Sequence, residues 1–247
     1  MTLWRLEFLR LWRTQRWLIL LAVFGVFGAL GPLTARYLSE LVEAFGGQEA
    51  IGQIPPMTSA DGITQYVSNA QQMGLLAVAF IAASALALDA HREIAVFFRT
   101  RAPLRDIVVP RFVVSAAAAV GAFAVGSVIA FVGTGILLEW LDPWSMAIGV
   151  ALQSLYLVFV VAVVAWVSSV VRSVPATALI SIGSLIVLGL LSLVSPLAPW
   201  LPSNLVGALD VLIRGGGFGF WRSTAVTTAL IGVLIPWAIT RLQRREI

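Results

Sequence analysis

Phe112–Leu138 reads FVVSAAAAVGAFAVGSVIAFVGTGILL, 27 residues without a charge, bounded by Arg111 and Glu139. An α-helix rises about 1.5 Å per residue, so roughly 20 apolar residues cross the hydrocarbon of a bilayer. Five further apolar runs stand on either side, at Trp17–Ala35, Met73–Leu88, Met146–Val171, Ala176–Ala198 and Ser223–Thr240. The Met73 run is short, and Tyr66–Gln72 is available to extend it at the outer surface. Of the 247 residues, 60% are hydrophobic and 11% charged, where soluble domains have about 45–50% and about 25%. No soluble core takes that excess, so lipid is the expected solvent. The expectation is an all-α polytopic membrane protein of about six transmembrane helices, forming a single domain over residues 1–247. Arg5–Leu33 is basic and then apolar like a signal peptide, but no convincing cleavage site follows, and it is expected to be a retained span.

Arginine placement orients the map. The chain has no Lys, so all 16 basic residues are Arg. Thirteen fall in alternate connections and at the two ends: before span one, between spans two and three, between four and five, and after six. Only Arg36, Arg214 and Arg222 fall on the other side, with Glu40, Glu43, Glu49, Asp61, Glu139, Asp142 and Asp210. The positive-inside rule places the Arg-rich side in the cytoplasm, with both termini there. Trp17 and Trp237 fall near the inner boundary and Trp140, Trp144, Trp200 and Trp221 near the outer one, where indole rings favour the interface. Trp166 is expected well inside a span, packed or touching lipid. The net charge of +4 flanks apolar runs instead of forming a stripe, so no nucleic acid is expected.

Absences narrow the function. A P-loop places a Lys on the phosphates, and this chain has none. Gly215-Gly216-Gly217-Phe218-Gly219 is glycine-rich but lacks that Lys and reads as a flexible connection. One His, His91, and no Cys exclude the common zinc sites. No G-x-S-x-G nucleophile elbow occurs. The chain is expected to be no enzyme, with no metal or cofactor of its own. No Asp, Glu, Arg or His lies at the centre of an expected span, which argues against an ion-coupled porter.

Four features remain. Leu3, Leu6, Leu9, Leu11 and Trp12 recur near helical spacing among Arg5, Arg10, Arg13 and Arg16, as in an amphipathic helix at the inner interface over residues 1–16. In the cytoplasmic loop Asp89–Arg111, Ile94, Phe97 and Phe98 share one helical face, with Glu93, Arg99 and Arg101 around them and Arg105 beyond Pro103. Such a helix docks in a groove on a partner or lies held by lipid. Pro196, Pro199 and Pro202 end span five, and Ser203-Asn204 is placed to cap a short apolar helix over Leu205–Ile213, within a re-entrant outer segment 199–222. Gln153 and Tyr156 lie i, i+3 on span four, where one of them lines a substrate route or bonds between packed helices.

These pieces resemble the transmembrane subunit of ABC-2-type exporters, most of all the short permeases of actinobacterial type. The likeness rests on Met1–Trp17, His91–Val113 and Pro196–Ile213, and on Glu93, Pro103-Leu104-Arg105 and Arg111 in the loop. Ile94-Ala95-Val96 stands where a Gly-Thr is common in that family. The resemblance implies a permease in the bacterial cytoplasmic membrane, pairing with a second copy or a similar permease. A separate cytoplasmic ATPase, holding the ATP and Mg, would bind the coupling helix through Glu93, Ile94, Phe97, Phe98, Arg99, Arg101 and Arg105. The cargo would be hydrophobic or amphipathic: a drug, lipid, peptide or glycan. The competing readings are a membrane scaffold or assembly factor that uses the same loop on another partner, and a lipid-directed intramembrane enzyme, which the missing catalytic residues disfavour.

Overall fold

A computed structural model describes residues 3–46, 57–87 and 103–244, with the backbone alone at 39 and 41–46. The regular structure among the described residues is helical: α1 Leu3–Arg13, α2 Arg16–Gly46, α3 Ser59–Asn69, a π-helical turn Ala70–Gly74, α4 Leu75–Leu86, α5 Leu104–Leu137, α6 Pro143–Ser168, α7 Val174–Leu191, α8 Ala208–Ile213 and α9 Trp221–Gln243. Two 3₁₀ turns, Ala198–Trp200 and Pro202–Leu205, precede α8. Among the described residues, six stretches are long and apolar enough to cross a membrane: Arg16–Leu38, Ser59–Leu86, α5, α6, α7 and α9.

The start of α2, the ends of α4 and α9 and the start of α5 share one end of the bundle. Arg16 there reaches Ser84, and Leu104 and Val108 pack on Ile239 and Leu242. We call this the termini end. The helix α6 runs through the middle of the bundle, and its Val160, Val161 and Val164 are fully buried, as expected for a helix apolar on every face. Its start is fixed by Asp142, which accepts the Ser145 N–H at 2.8 Å, and by Pro143 in the first turn.

The helices α2 and α5 approach closely because glycines meet. A Cβ on Gly126 would lie 2.5 Å from the Phe24 carbonyl oxygen, and Gly28 abuts the Gly126 backbone. Without a hydrophobic drive between helices in lipid, such small-residue contacts carry the packing. Tyr66 closes the joint: its hydroxyl donates to the Phe123 carbonyl at 3.0 Å, and its ring stacks on Phe123.

Several boundaries differ from expectation. The second span is one helical run from Ser59 to Leu86, not a short run from Met73. Ser68, Asn69, Gln71 and Gln72 lower its local hydropathy, but Ile63, Tyr66, Val67 and Ala70 on the same run are buried and hold it in the bundle. The loop expected to run to Arg111 gives way to helix at Leu104, so Arg105 and Arg111 belong to α5. The outer helix expected over Leu205–Ile213 divides into the Pro202–Leu205 turn and α8, and Gly207, not Ser203 or Asn204, precedes α8. Pro202 favours that tighter turn, since it supplies a fixed φ and no N–H. Trp166 is not at mid-span. The helix α6 ends at Ser168, whose hydroxyl bonds back to Ala165, and Trp166 packs against Trp237 near the termini end.

The expected N-terminal amphipathic helix is α1. It buries no residue and exposes Trp4, Phe8 and Trp12. A turn at Thr14-Gln15, with Gln15 at φ 55°, redirects the chain into α2, and Trp12 stacks on Trp17 across it at 4.6 Å.

Candidate functional site

The π-helical turn is the local irregularity that builds the site. One extra residue per turn shifts the face that the following side chains present, and such insertions recur at functional positions. Here it falls halfway along Ser59–Leu86 and carries Gln71 and Gln72. Gln71 faces the Tyr156 hydroxyl of α6. Gln72 is exposed, and its carboxamide has no hydrogen-bond partner among the described residues.

Both glutamines line a cavity of about 470 Å³. Its apolar wall is Leu75, Leu76, Ile182, Leu185, Ile186 and Val206. Its other polar groups are Tyr156, Ser192 and Ser203. The two serine hydroxyls donate to backbone carbonyls, Ser192 to Gly189 at 2.5 Å and Ser203 to Leu188 at 3.4 Å, leaving their lone pairs free. The cavity thus runs from mid-span, at Gln72 and Tyr156, toward the far end of the bundle, where the segment after α7 closes over it. Leu205, Ala208 and Leu209 of that segment are fully buried, so it is a packed cap and not a loop lying on the surface.

An ion-pair cluster ties the cap down at its rim. Arg214 reaches Asp61 at 2.7 Å, Asp210 at 2.9 Å and the Thr64 hydroxyl at 3.0 Å. Thr64 also bonds Asp210. The Asp61 and Asp210 carboxylates push the Arg214 guanidinium up from its ordinary pKa. Just beyond, Gly215 takes φ 77°, which a residue with a Cβ adopts only at a cost.

At the termini end a second cluster joins four helices, α1, α2, α4 and α5. Arg111, 6% exposed, pairs with Glu7 of α1 at 2.7 Å and donates to the Ala85 carbonyl at 3.1 Å. Arg10 reaches the Ser84 carbonyl at 3.2 Å and Arg16 the Ser84 hydroxyl at 2.6 Å. The N-terminal helix is therefore fastened to the end of α4 and the start of α5, the two helices that flank residues 88–102. Beside it, Arg105 and Trp4 line a cleft of about 320 Å³.

Of the residues singled out from sequence, Tyr156 lines the cavity and Gln153 does not. Gln153 is 2% exposed, and its Oε1 finds no partner among the described residues. Arg105 is exposed in the first turn of α5. Glu93, Ile94, Phe97, Phe98, Arg99 and Arg101 lie outside the described residues.

No protein-family model matches the chain. Over 253 aligned residues it is 24% identical to the Uncharacterized transmembrane protein YxlG of Bacillus subtilis (strain 168), an alignment that covers 100% of this chain and 98% of that protein. The full-length match to a transmembrane protein agrees with the six apolar helices. The chain is a multi-pass helical membrane protein. Sequence reasoning missed Gln71 and Gln72 as site residues because it set them at the outer surface. The available signal was two adjacent carboxamides flanked by apolar residues, which membrane helices keep for protein or cavity contacts.

Proposed function

We propose that the chain is the membrane-spanning permease subunit of an ABC-type exporter. It moves a hydrophobic or amphipathic substrate across the bacterial cytoplasmic membrane, with ATP and Mg bound on a separate ATPase subunit. The observation that carries this reading is the cavity at Gln72 and Tyr156, a mostly apolar space with a few polar groups at mid-depth of an apolar bundle. A chain without Lys has no P-loop, so the work of emptying that space falls to a partner. The Glu7–Arg111 and Arg16–Ser84 contacts support the same reading. They make α1 and the helices flanking residues 88–102 one mechanical unit, so that a push on that loop reaches α4, the π-helical turn and the cavity. The termini end faces the cytoplasm in this reading, and a second copy or a similar permease completes the pathway.

The test is co-purification of the tagged chain from its native membranes, followed by ATP hydrolysis in lipid. An ATPase should accompany the chain. Phe97→Ala with Phe98→Ala should release it, with at least about thirtyfold loss of affinity, since buried aromatic anchors carry about 2 kcal/mol or more each. A double variant that holds its ATPase and transports like the parent removes the loop from the coupling path. A chain that purifies with a non-ATPase partner instead identifies a scaffold.

A further inference from the structure

Gln72 poses a physical problem. It stands halfway along an apolar helix, exposed, with no hydrogen bond among the described residues. In hydrocarbon an unpaired carboxamide is strongly disfavoured, so such a group is kept where something pairs with it. It borders the 470 Å³ cavity, a volume within the range that encloses drug-sized molecules.

The lining states which molecule. Among the described residues, no Asp, Glu, Arg or His lines the cavity. An ion placed there would lose its hydration and meet no opposite charge, which a low-dielectric wall makes prohibitive. The groups on offer are the free Gln72 carboxamide, the Gln71 carboxamide with the Tyr156 phenol it faces, and two serine oxygens, a set that pairs with hydroxyl, ester or amide groups. The way in is also particular. Leu76 and Ile186, on α4 and α7, are 40% and 58% exposed on the outside of the bundle. Together with Gln72 they edge the cavity on the exposed flank of the bundle, the side that molecules dissolved in a bilayer would reach.

We propose that this cavity binds an uncharged amphiphile, whose hydroxyl or carbonyl head group pairs with the Gln72 carboxamide and whose hydrocarbon lies against Ile182, Leu185 and Ile186. As the substrate site of the exporter it rests on the function proposed above, but occupancy needs no ATPase and is measured without one.

The full chain is placed in lipid nanodiscs and exposed to three photoactivatable probes with the same diazirine acyl or alkyl chain: a neutral monoacylglycerol, an anionic alkyl sulfate and a cationic alkyl trimethylammonium. Labelled peptides are mapped by mass spectrometry. The neutral probe should label the cavity faces of α4 and α7 about tenfold more than either ion, and excess unlabelled monoacylglycerol should displace it. Gln72→Leu should cut the labelling about fivefold to tenfold, the value of one hydrogen bond, and Gln72→Asn should restore part of it. Equal labelling by all three probes, or labelling unchanged in Gln72→Leu, overturns the proposal. So does Gln72→Cys that cross-links to a second copy while the neutral probe labels nothing. Should Gln72→Leu fail to give a monodisperse protein, the ranking of the three probes on the parent chain decides. A chain that selects the neutral probe but never associates with an ATPase defeats the exporter reading alone. A chain that assembles with an ATPase and shows no preference defeats this inference alone.

Discussion

Two glycines on α5 show how much a single methyl group decides. A Cβ at position 126 would meet the Phe24 carbonyl at 2.5 Å and the Tyr66 hydroxyl at 2.8 Å, whereas one at position 121 meets nothing within 4 Å. Gly126→Ala should therefore lower stability by about 1–3 kcal/mol through overpacking. Gly121→Ala should leave it unchanged or raise it by up to about 1 kcal/mol through helix propensity. Thermal unfolding in detergent compares the two, and equal melting temperatures would refute the close α2–α5 joint. The Glu7–Arg111 pair is the other sensitive point. Removing one member of a buried pair takes a stabilising partner from the other, so Glu7→Ala should lower stability, by up to about 3 kcal/mol. Replacing both members with apolar residues, Glu7→Leu with Arg111→Met, should recover most of that loss. A double variant as unstable as the single one would show that the pair does more than neutralise itself.

At the scale of elements, the cap over the cavity is held in two ways, and their magnitudes differ. The Arg214 cluster is conspicuous but solvent-facing, with the Arg214 side chain 43% exposed. Exposed ion pairs contribute about 0–1 kcal/mol. Leu209 is fully buried against Gly149 of α6, and truncating such a leucine costs about 2–5 kcal/mol. Leu209→Ala should thus destabilise the protein far more than Arg214→Ala, and high salt should lower the stability of the parent and of Leu209→Ala more than that of Arg214→Ala. Denaturation of both variants at low and high ionic strength checks this. A larger loss in Arg214→Ala would mean that the rim, not the packing, holds α8 in place.

For the whole molecule the quantity that arginine placement fixes is orientation. The arginine asymmetry predicts positions 43 and 142 outside and positions 99 and 244 inside. The chain has no Cys, so single cysteines introduced at these four positions report without background. An impermeant thiol reagent added to intact cells should label the first two only, and strong labelling at position 99 would invert the map.

The number of spans and the all-helical class were legible in the sequence, because hydropathy is a sum over neighbours and a bilayer asks only for enough apolar length. The amphipathic character of α1 was legible for the same local reason. Gln153 and Tyr156 looked equivalent on one helix face, yet Tyr156 reaches the cavity and Gln153 is enclosed. Gln71 and Gln72 read as polar residues at a surface, and tertiary packing of Ile63, Tyr66 and Val67 drew the helix past them, so that they came to lie at mid-span. Arg111 read as a loop charge, and its partner Glu7 lies 104 positions away. Asp61 and Arg214 are 153 positions apart. Local composition determined which segments enter lipid. Which polar groups meet inside the bundle depended on contacts between distant segments, and no local pattern carries those.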